Sequence, residues 1–488
     1  MVVTTERTAM PDVDRTVRAA DDAFEAWERH GRTGRADVLD AIAERLEAAQ
    51  ADLVPVAERE TGLATARLEG EVGRAAFQFR LFGTVLREGS YVEATIDPAG
   101  DTPLGRRPDL RRMLIPLGPV GVFGASNFPF AFSVAGGDTA SALAAGCPVV
   151  VKAHPSHPET SRRSYEVIRA AVESAGLPAG VIGLVEGYQA GVDLVNHPDI
   201  TAVGFTGSIA GGRALADLAA ARPRPIPFYG ELGSLNPLVV SPGAAAADPA
   251  GIATGYVNSV TGSLGQLCTK PGLLFVPVGP DGDKLRAALA EAVAATAPGR
   301  PLNSAIKDAY VRETGRRRDD ARLALLGEGT PAGPDQASPA LFTVAAADLT
   351  GDLLEECFGP TALVIGYEGT DDLLDALRRL DGQLTATLHV TADETALRDR
   401  LHDVVRRRAG RLLFGGFPTG LAVAWGTHHG GPYPSTTLSG HTSVGATAIR
   451  RWLRPVSYQD APTDILPAEL RDGNPTGIPR RIDGTLTT

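Results

Sequence analysis

The sequence predicts an α/β protein made of two doubly wound α/β units in tandem, and two observations carry that prediction. Short apolar runs rich in β-branched residues alternate with helix-like segments such as SRRSYEVIRAAVESAG from Ser161. The runs are PVGVFG from Pro119, CPVVVK from Cys147, GVIGLVEG from Gly180 and ITAVGFTG from Ile200. Strands that are apolar throughout and separated by helices belong to a parallel sheet covered on both faces. A second set follows Glu231, reading NPLVV, GLLFVPV, ALVIGY, ATLHV and RLLFGG. Two such units in one chain imply two domains with a cleft between them.

Ahead of the first unit, Val17, Ala20, Phe24 and Trp27, then Val38, Ile42 and Leu46, recur at helical spacing. This predicts two amphipathic helices over residues 12–50, broken between Gly31 and Gly34. Residues 97–112 are polar and rich in Pro and Gly, and the tail from Trp452 is rich in Pro and Asp. Both read as excursions from the α/β units rather than as domains.

With 488 residues, 43% of them apolar, the chain can bury several domain-sized cores. A net charge of -11 argues against broad affinity for nucleic acid or an anionic membrane. The runs Arg316, Arg317, Arg318 and Arg406, Arg407, Arg408 read as solvated helix faces. The first residues lack the basic and apolar regions of a signal peptide, and no apolar run of about 18 residues occurs, so a soluble cytoplasmic protein is expected. The three cysteines, Cys147, Cys268 and Cys357, are odd in number and far apart, which argues against a disulfide framework and against a metal cluster.

Cys268 lies in GQLCTKPG, among small and polar neighbours, and Glu231 lies in FYGELGSLNP, read as a Gly-bracketed turn. A cysteine and an acid meeting on two loops would suit covalent catalysis at an aldehyde carbon. Cys147, before Pro-Val-Val-Val, and Cys357 read as small buried hydrophobes. Lysine occurs only four times, and two of the four, Lys152 and Lys270, fall inside these motifs. The GxGxxG fingerprint is absent. Gly207 and Gly212 stand where the strand AVGFT passes into the helix IAGGRALADLAA, a place where backbone and a helix N-terminus can receive a pyrophosphate, although glycines there also serve packing.

Five separated motifs resemble the aldehyde dehydrogenase superfamily, in its order and over essentially the whole chain. They are GPVGVFGASNFPF at 118–130, CPVVVKAHP at 147–155, GFTGS with Gly212, ELGSLNP followed by GQLCTKPG, and EECFGP at 355–360. The resemblance implies an aldehyde dehydrogenase-like fold of two α/β domains with a small oligomerisation extension. The implied limits are 1–95 and 118–231 for cofactor binding, 232–445 for catalysis, and 96–117 with 446–488 for the extension, which in the family pairs across a homodimer or homotetramer.

The resemblance also implies the roles of individual residues. Cys268 is the nucleophile and Glu231 the base that hydrolyses its thioester, with Asn127 and the Cys268 N–H holding the oxyanion. Lys152 and Glu356 hold the two riboses, Phe358 packs nearby, Thr206 lies under the nicotinamide, and Ser208 lies near the phosphates with Gly207 and Gly212. Many NAD-preferring relatives carry a glutamate three residues after the lysine, where this chain has Pro155. With His154, Ser156, His157 and Arg162 close by in sequence, NADP is the expected cofactor, with NAD possible. The blocks GGFPTG at 415–420, HHGGPYPSTT at 428–437 and TSVG at 442–445 resemble a subgroup that includes α-ketoglutarate semialdehyde and NADP-linked fatty aldehyde dehydrogenases. That subgroup often has Asn where Gly415 stands. Phe130, Leu267, Phe417, Pro418 and Thr419 are expected to line the aldehyde channel. α-Ketoglutarate semialdehyde is the first expectation for the substrate, with fatty or aromatic aldehydes, an acyl-thioester-forming reductase or transferase, or a binding protein as alternatives.

Overall fold

A computed structural model of the chain describes residues 10–487. Four helices come first: α1 (Met10–Arg29), α2 (Gly31–Ala48), α3 (Gln50–Thr61) and α4 (Thr65–Glu88). The break between the first two falls at His30 and Gly31, which has a φ of +76°, and Gly34 lies inside α2. Trp27, Leu39, Ile42 and Leu46 are fully buried, so the helical spacing read from sequence marks the core face. α4 adds Leu68, Val72, Phe79, Phe82 and Leu86 to the same core.

The first sheet has five parallel strands, in the order Ile182–Val185, Val149–Lys152, Val120–Phe123, Ala202–Thr206, Phe228–Glu231. The winding direction reverses at Val120–Phe123, which places a ligand crevice outside the C-terminal ends of the strands around it. Lys152, Thr206 and Glu231 are the last residues of their strands. Glu231 is therefore a strand residue, paired with Thr206, and not part of a turn. Four residues, one of them glycine, give too short a run for a period-two signal.

The second sheet has seven strands, ordered Ala324–Glu328, Ala340–Ala345, Thr361–Tyr367, Leu273–Pro277, Pro237–Val240, Gln383–His389, Ala409–Phe414. All its neighbours are parallel except the first pair. Five of these strands are the runs read from the sequence; the antiparallel edge strand and its neighbour were not among them.

The two excursions join in a third sheet, ordered Leu453–Gln459, Leu110–Pro116, Thr95–Asp97, Arg480–Ile482, Thr485–Thr487. Residues 446–452, assigned from sequence to the extension, instead form a helical turn packed into the first core through Ala446, Ala448, Ile449 and Trp452. Trp452 is fully buried, and its indole N–H donates to Ser141 Oγ at 2.9 Å. Residues 428–445 run back over the first sheet: Leu232 N–H donates to the Ser435 carbonyl at 2.8 Å, and Gly230 N–H to Thr437 Oγ1 at 2.8 Å. Among the described residues no helix is long and apolar enough to cross a membrane.

Truncating Trp452 opens a large void in the first core, so Trp452→Ala is expected to cost about 3–5 kcal/mol. A denaturant midpoint unchanged from wild type would contradict this packing.

Candidate active site

The nucleophile loop begins where helix Pro249–Thr261 ends. Ser263, Leu264 and Gly265 all take left-handed backbone angles, with φ of 50°, 57° and 67°. At Gly265 a side chain is also excluded by space, because a Cβ would lie 2.1 Å from the Gly359 carbonyl oxygen. The GQLCTKPG and EECFGP motifs thus meet backbone to backbone. Buried Lys270 adds to the junction by donating to the carbonyls of Cys357 and, at 3.0 Å, Gly359. From the other side, the Asn236 carboxamide donates to the carbonyls of Cys268 at 2.8 Å and Lys270 at 2.9 Å.

Cys268 Sγ lies 3.4 Å from His429 Nε2, and His429 Nε2 lies 2.8 Å from Glu231 Oε1. The Nε2–Sγ contact is a hydrogen bond whose direction is set by the ring tautomer, with the thiol donating when Nε2 carries no proton; the contact to Oε1 is close but not aligned, and Oε1 has no hydrogen-bond partner among the described residues. Ser443 Oγ donates to Glu231 Oε2. Glu231 and His429 are 3% and 1% exposed, so this is a nearly dry cluster in which charge interactions are strong. Burial works to raise the Glu231 pKa, but His429 and the hydroxyl and thiol donors outweigh it and hold the carboxyl below its usual range. Burial, then Glu231 and Glu356, push the Cys268 thiol well up, with Arg74 opposing. The resting sulfur is accordingly a thiol beside an ionised acid.

Asn127 follows the central strand of the first sheet and reaches the same place. Its Nδ2 donates to the Gln266 carbonyl at 2.9 Å, leaving one amide hydrogen, while Arg67 donates to its backbone carbonyl at 2.5 Å. The Cys268 N–H has no backbone acceptor among the described residues. These two donors suit an oxyanion at a carbon bonded to Sγ.

Of the residues expected on the cofactor side, Lys152 and Thr206 end strands at the crevice of the first sheet. Burial lowers the Lys152 pKa, and Glu186 is the charge that opposes it. Exposed Ser208 caps helix Ile209–Ala221, accepting from Gly211 N–H at 3.2 Å. Glu356 has its pKa pushed up to about 7 by burial, against Lys270 and the Ser234 N–H, and Phe358 is half-buried two residues on. A mostly buried ammonium and a helix N-terminus at the C-terminal ends of neighbouring parts of one sheet fit the ribose and phosphates of a dinucleotide.

Several expectations change. A Cβ at Gly212 would lie 2.2 Å from Leu232 Cδ2, and one at Gly207 would lie 2.7 Å from the Phe205 ring, so both glycines make room for the protein's own side chains. The group expected around a 2'-phosphate is not available as a cluster. His157 is fully buried and bonded to the Ala125 carbonyl at 2.8 Å. His154 is held neutral, its pKa lowered to about 3 by burial and by His157 and Lys152, and its Nδ1 accepts from Ser156 N–H at 3.1 Å. Ser156 Oγ accepts from Asn303, and Arg162 is bound by Glu159 and Glu186.

Phe130 is 1% exposed and sits inside the first core, where it cannot line a channel; half-buried Phe128 and Phe132 flank it instead. Leu267 is half-buried beside Cys268. Phe417 packs against Gly255 and the His389 ring, Pro418 accepts from Arg411 through its carbonyl at 2.6 Å, and Thr419 bonds Ser259 at 2.8 Å, so this segment is anchored to helix Pro249–Thr261. His429, Ser443 and Asn236 were not singled out from sequence. The first two lie in the HHGGPYPSTT and TSVG blocks, which carried only a subgroup likeness, and Asn236 lies in ELGSLNP.

A sheet with a nucleotide crevice at its switch point, opening onto a half-buried cysteine with an acid and oxyanion donors, defines a cysteine-dependent, nicotinamide-linked dehydrogenase. The chain belongs to the aldehyde dehydrogenase family, which it matches over residues 1–404. It is 49% identical to alpha-ketoglutaric semialdehyde dehydrogenase 2 of Azospirillum brasilense over 98% of this chain and 92% of the relative. It is 42% identical to an alpha-ketoglutaric semialdehyde dehydrogenase of Acinetobacter baylyi, with the same coverage. Among solved structures, proline utilization A of Bradyrhizobium japonicum superimposes with a TM-score of 0.79 at 26% identity, covering 93% of this chain and 45% of that longer one.

Because the thiolate is the reactive form, a raised thiol pKa moves reactivity to higher pH. Without cofactor, Cys268 is expected to alkylate about tenfold or more slowly than a free cysteine at pH 7, and to speed up past the ordinary thiol range. Iodoacetamide labelling followed by mass spectrometry across pH checks this; fast labelling at pH 7 would contradict it.

Proposed function

We propose that the protein oxidises α-ketoglutarate semialdehyde to α-ketoglutarate through a thioester on Cys268. The observation that carries this reading is the Cys268–His429–Glu231 cluster, in a chain nearly half identical to a relative named for that semialdehyde. His429 Nε2 takes the thiol proton, passing positive charge to the side of ionised Glu231, and Sγ adds to the aldehyde carbon. The Cys268 N–H and the free Asn127 amide hydrogen receive the oxyanion. A bound nicotinamide dinucleotide supplies the hydride acceptor, and loss of hydride leaves a thioester on Cys268. Glu231, oriented by Ser443, then draws a proton from water for hydrolysis, and the acid departs with Cys268 restored.

For the cofactor, the engaged state of His154, His157 and Arg162, with Glu186 facing Lys152, supports NAD over NADP, against the expectation from sequence. A homodimer or homotetramer is supported by the exposed edge strands Leu453–Gln459 and Thr485–Thr487 of the third sheet, which leave unpaired backbone groups. A reducing cytoplasm suits three free cysteines.

With α-ketoglutarate semialdehyde, kcat/KM with NAD is expected to exceed that with NADP by about tenfold or more. A preference for NADP overturns the cofactor reading, and a preference for hexanal or benzaldehyde overturns the substrate reading. Cys268→Ala should abolish turnover while still binding cofactor, and Glu231→Gln should give one burst of reduced cofactor and then stall. His429→Asn should slow the burst by about 100-fold or more. Full steady-state rates in any of the three would contradict the assigned role.

A further inference from the structure

The site holds a cation that the reaction chemistry above does not use. Arg67, Glu71 and Arg74 are spaced i, i+4 and i+7 on α4 and so share one helix face, which meets the 127–132 segment that carries Asn127. Two of the three bond the backbone of that segment, although Arg67 Nη1 and Glu71 Oε2 are sealed without a partner among the described residues. Glu71 is buried, and its Oε1 accepts from the N–H groups of Phe130 at 2.8 Å and Ala131 at 3.1 Å. Arg67 stacks over Phe128 and donates to the Asn127 carbonyl.

Arg74 is different. Its guanidinium lies over the Phe132 ring, 5.3 Å from the centroid. Its Nε and Nη2 are sealed from solvent, and neither has a hydrogen-bond partner among the described residues. Phe132 lies five residues after Asn127 on the same segment, and the acidic groups whose charge reaches Arg74 are Cys268, then Glu71 and Glu231. The other guanidinium that senses Cys268, on Arg411, already donates both Nη atoms to the Gly420 and Pro418 carbonyls at 3.1 and 2.6 Å, which leaves only its Nε sealed without a partner among the described residues. Lys270 is likewise occupied.

A guanidinium with two buried, unsatisfied donors is costly in a resting protein unless an anion arrives to meet them. Its planar fork matches a carboxylate, and the ring beneath it fixes the plane. Resting on the proposed substrate reading, we infer that Arg74 binds the substrate's own carboxylate. It would hold the far end of a short aldehyde acid while the aldehyde carbon sits on Cys268, with Phe132 walling the chain between them. Arg74 is then the residue that selects a charged semialdehyde over an apolar aldehyde of equal length.

The test compares kcat/KM for α-ketoglutarate semialdehyde and for pentanal, which has the same number of carbons and no charge, in wild type, Arg74→Met and Arg74→Lys. The ratio of the two values is expected to fall by about 100-fold in Arg74→Met, chiefly through KM for the charged substrate, and to be partly restored in Arg74→Lys. In parallel, α-ketoglutarate should protect Cys268 from iodoacetamide in wild type and fail to do so in Arg74→Met. If Arg74→Met does not fold, as judged by loss of cofactor binding, Arg74→Lys carries the test through its own drop in ratio. A wild-type preference for the charged aldehyde that survives within twofold in the variants overturns the Arg74 assignment alone. A wild type with no such preference overturns the substrate reading and the assignment with it.

Discussion

The carboxamide of Asn236 is sealed from solvent, donates to the Cys268 and Lys270 carbonyls, and accepts from Thr385 N–H and Oγ1 at 3.0 and 3.1 Å. Its own backbone N–H is held by Gln383 Oε1 at 2.9 Å. Asn236 sits five residues after Glu231, on the link between the first sheet and the second, with a φ of 50° that asparagine tolerates better than most residues. One side chain therefore sets the nucleophile loop, the connection carrying the acid, and the strand Gln383–His389 in a single frame. Without it, the loop carbonyls would be buried polar groups without partners, and Sγ would have no fixed position relative to Glu231.

Around that frame the charges are arranged against one another. A thiol pushed up by burial and by two carboxylates is inert until its proton has somewhere to go, and His429 is the neighbour that can take it. Glu231 is kept ionised by the same histidine and by the Ser443 hydroxyl. Glu356, at the far side, is balanced near neutrality by burial against Lys270. The groups thus differ in their readiness to hold a proton although they share one dry pocket, which separates acid and base roles within a few ångströms.

What the sequence revealed was what is local. The parallel runs, the five motifs, the cysteine and its acid are each legible within about ten residues, because a strand period or a loop composition is a short-range property. Phe228–Glu231 escaped notice because a four-residue strand containing glycine has no pattern of its own. His429 and Arg74 were invisible for another reason: their meaning lies in what they face, 161 residues from Cys268 in the case of His429. His154, His157 and Arg162 show the same limit in reverse. They are neighbours in sequence, but the backbone turns His157 inward to the Ala125 carbonyl and leaves Arg162 outside with two glutamates. Phe130 shows it once more, since its neighbours in sequence take the half-buried positions while its own ring fills the core.

The third sheet carries a consequence for how the molecule is made. Its central strand, Thr95–Asp97, is paired on one side with Leu110–Pro116 and on the other, in parallel, with Arg480–Ile482. The first core is likewise closed by Trp452, Leu466, Leu470 and Ile478. A chain emerging from the ribosome can form α1 to α4 and the first sheet early, but the apolar surface that these last residues cover stays open until nearly the whole polypeptide has been synthesised. Closure then depends on contacts between the two ends of the chain, the slowest kind to form. During synthesis the half-built enzyme is therefore a client for chaperones, and a ribosome stalled late in the message leaves a sticky fragment rather than a smaller working protein.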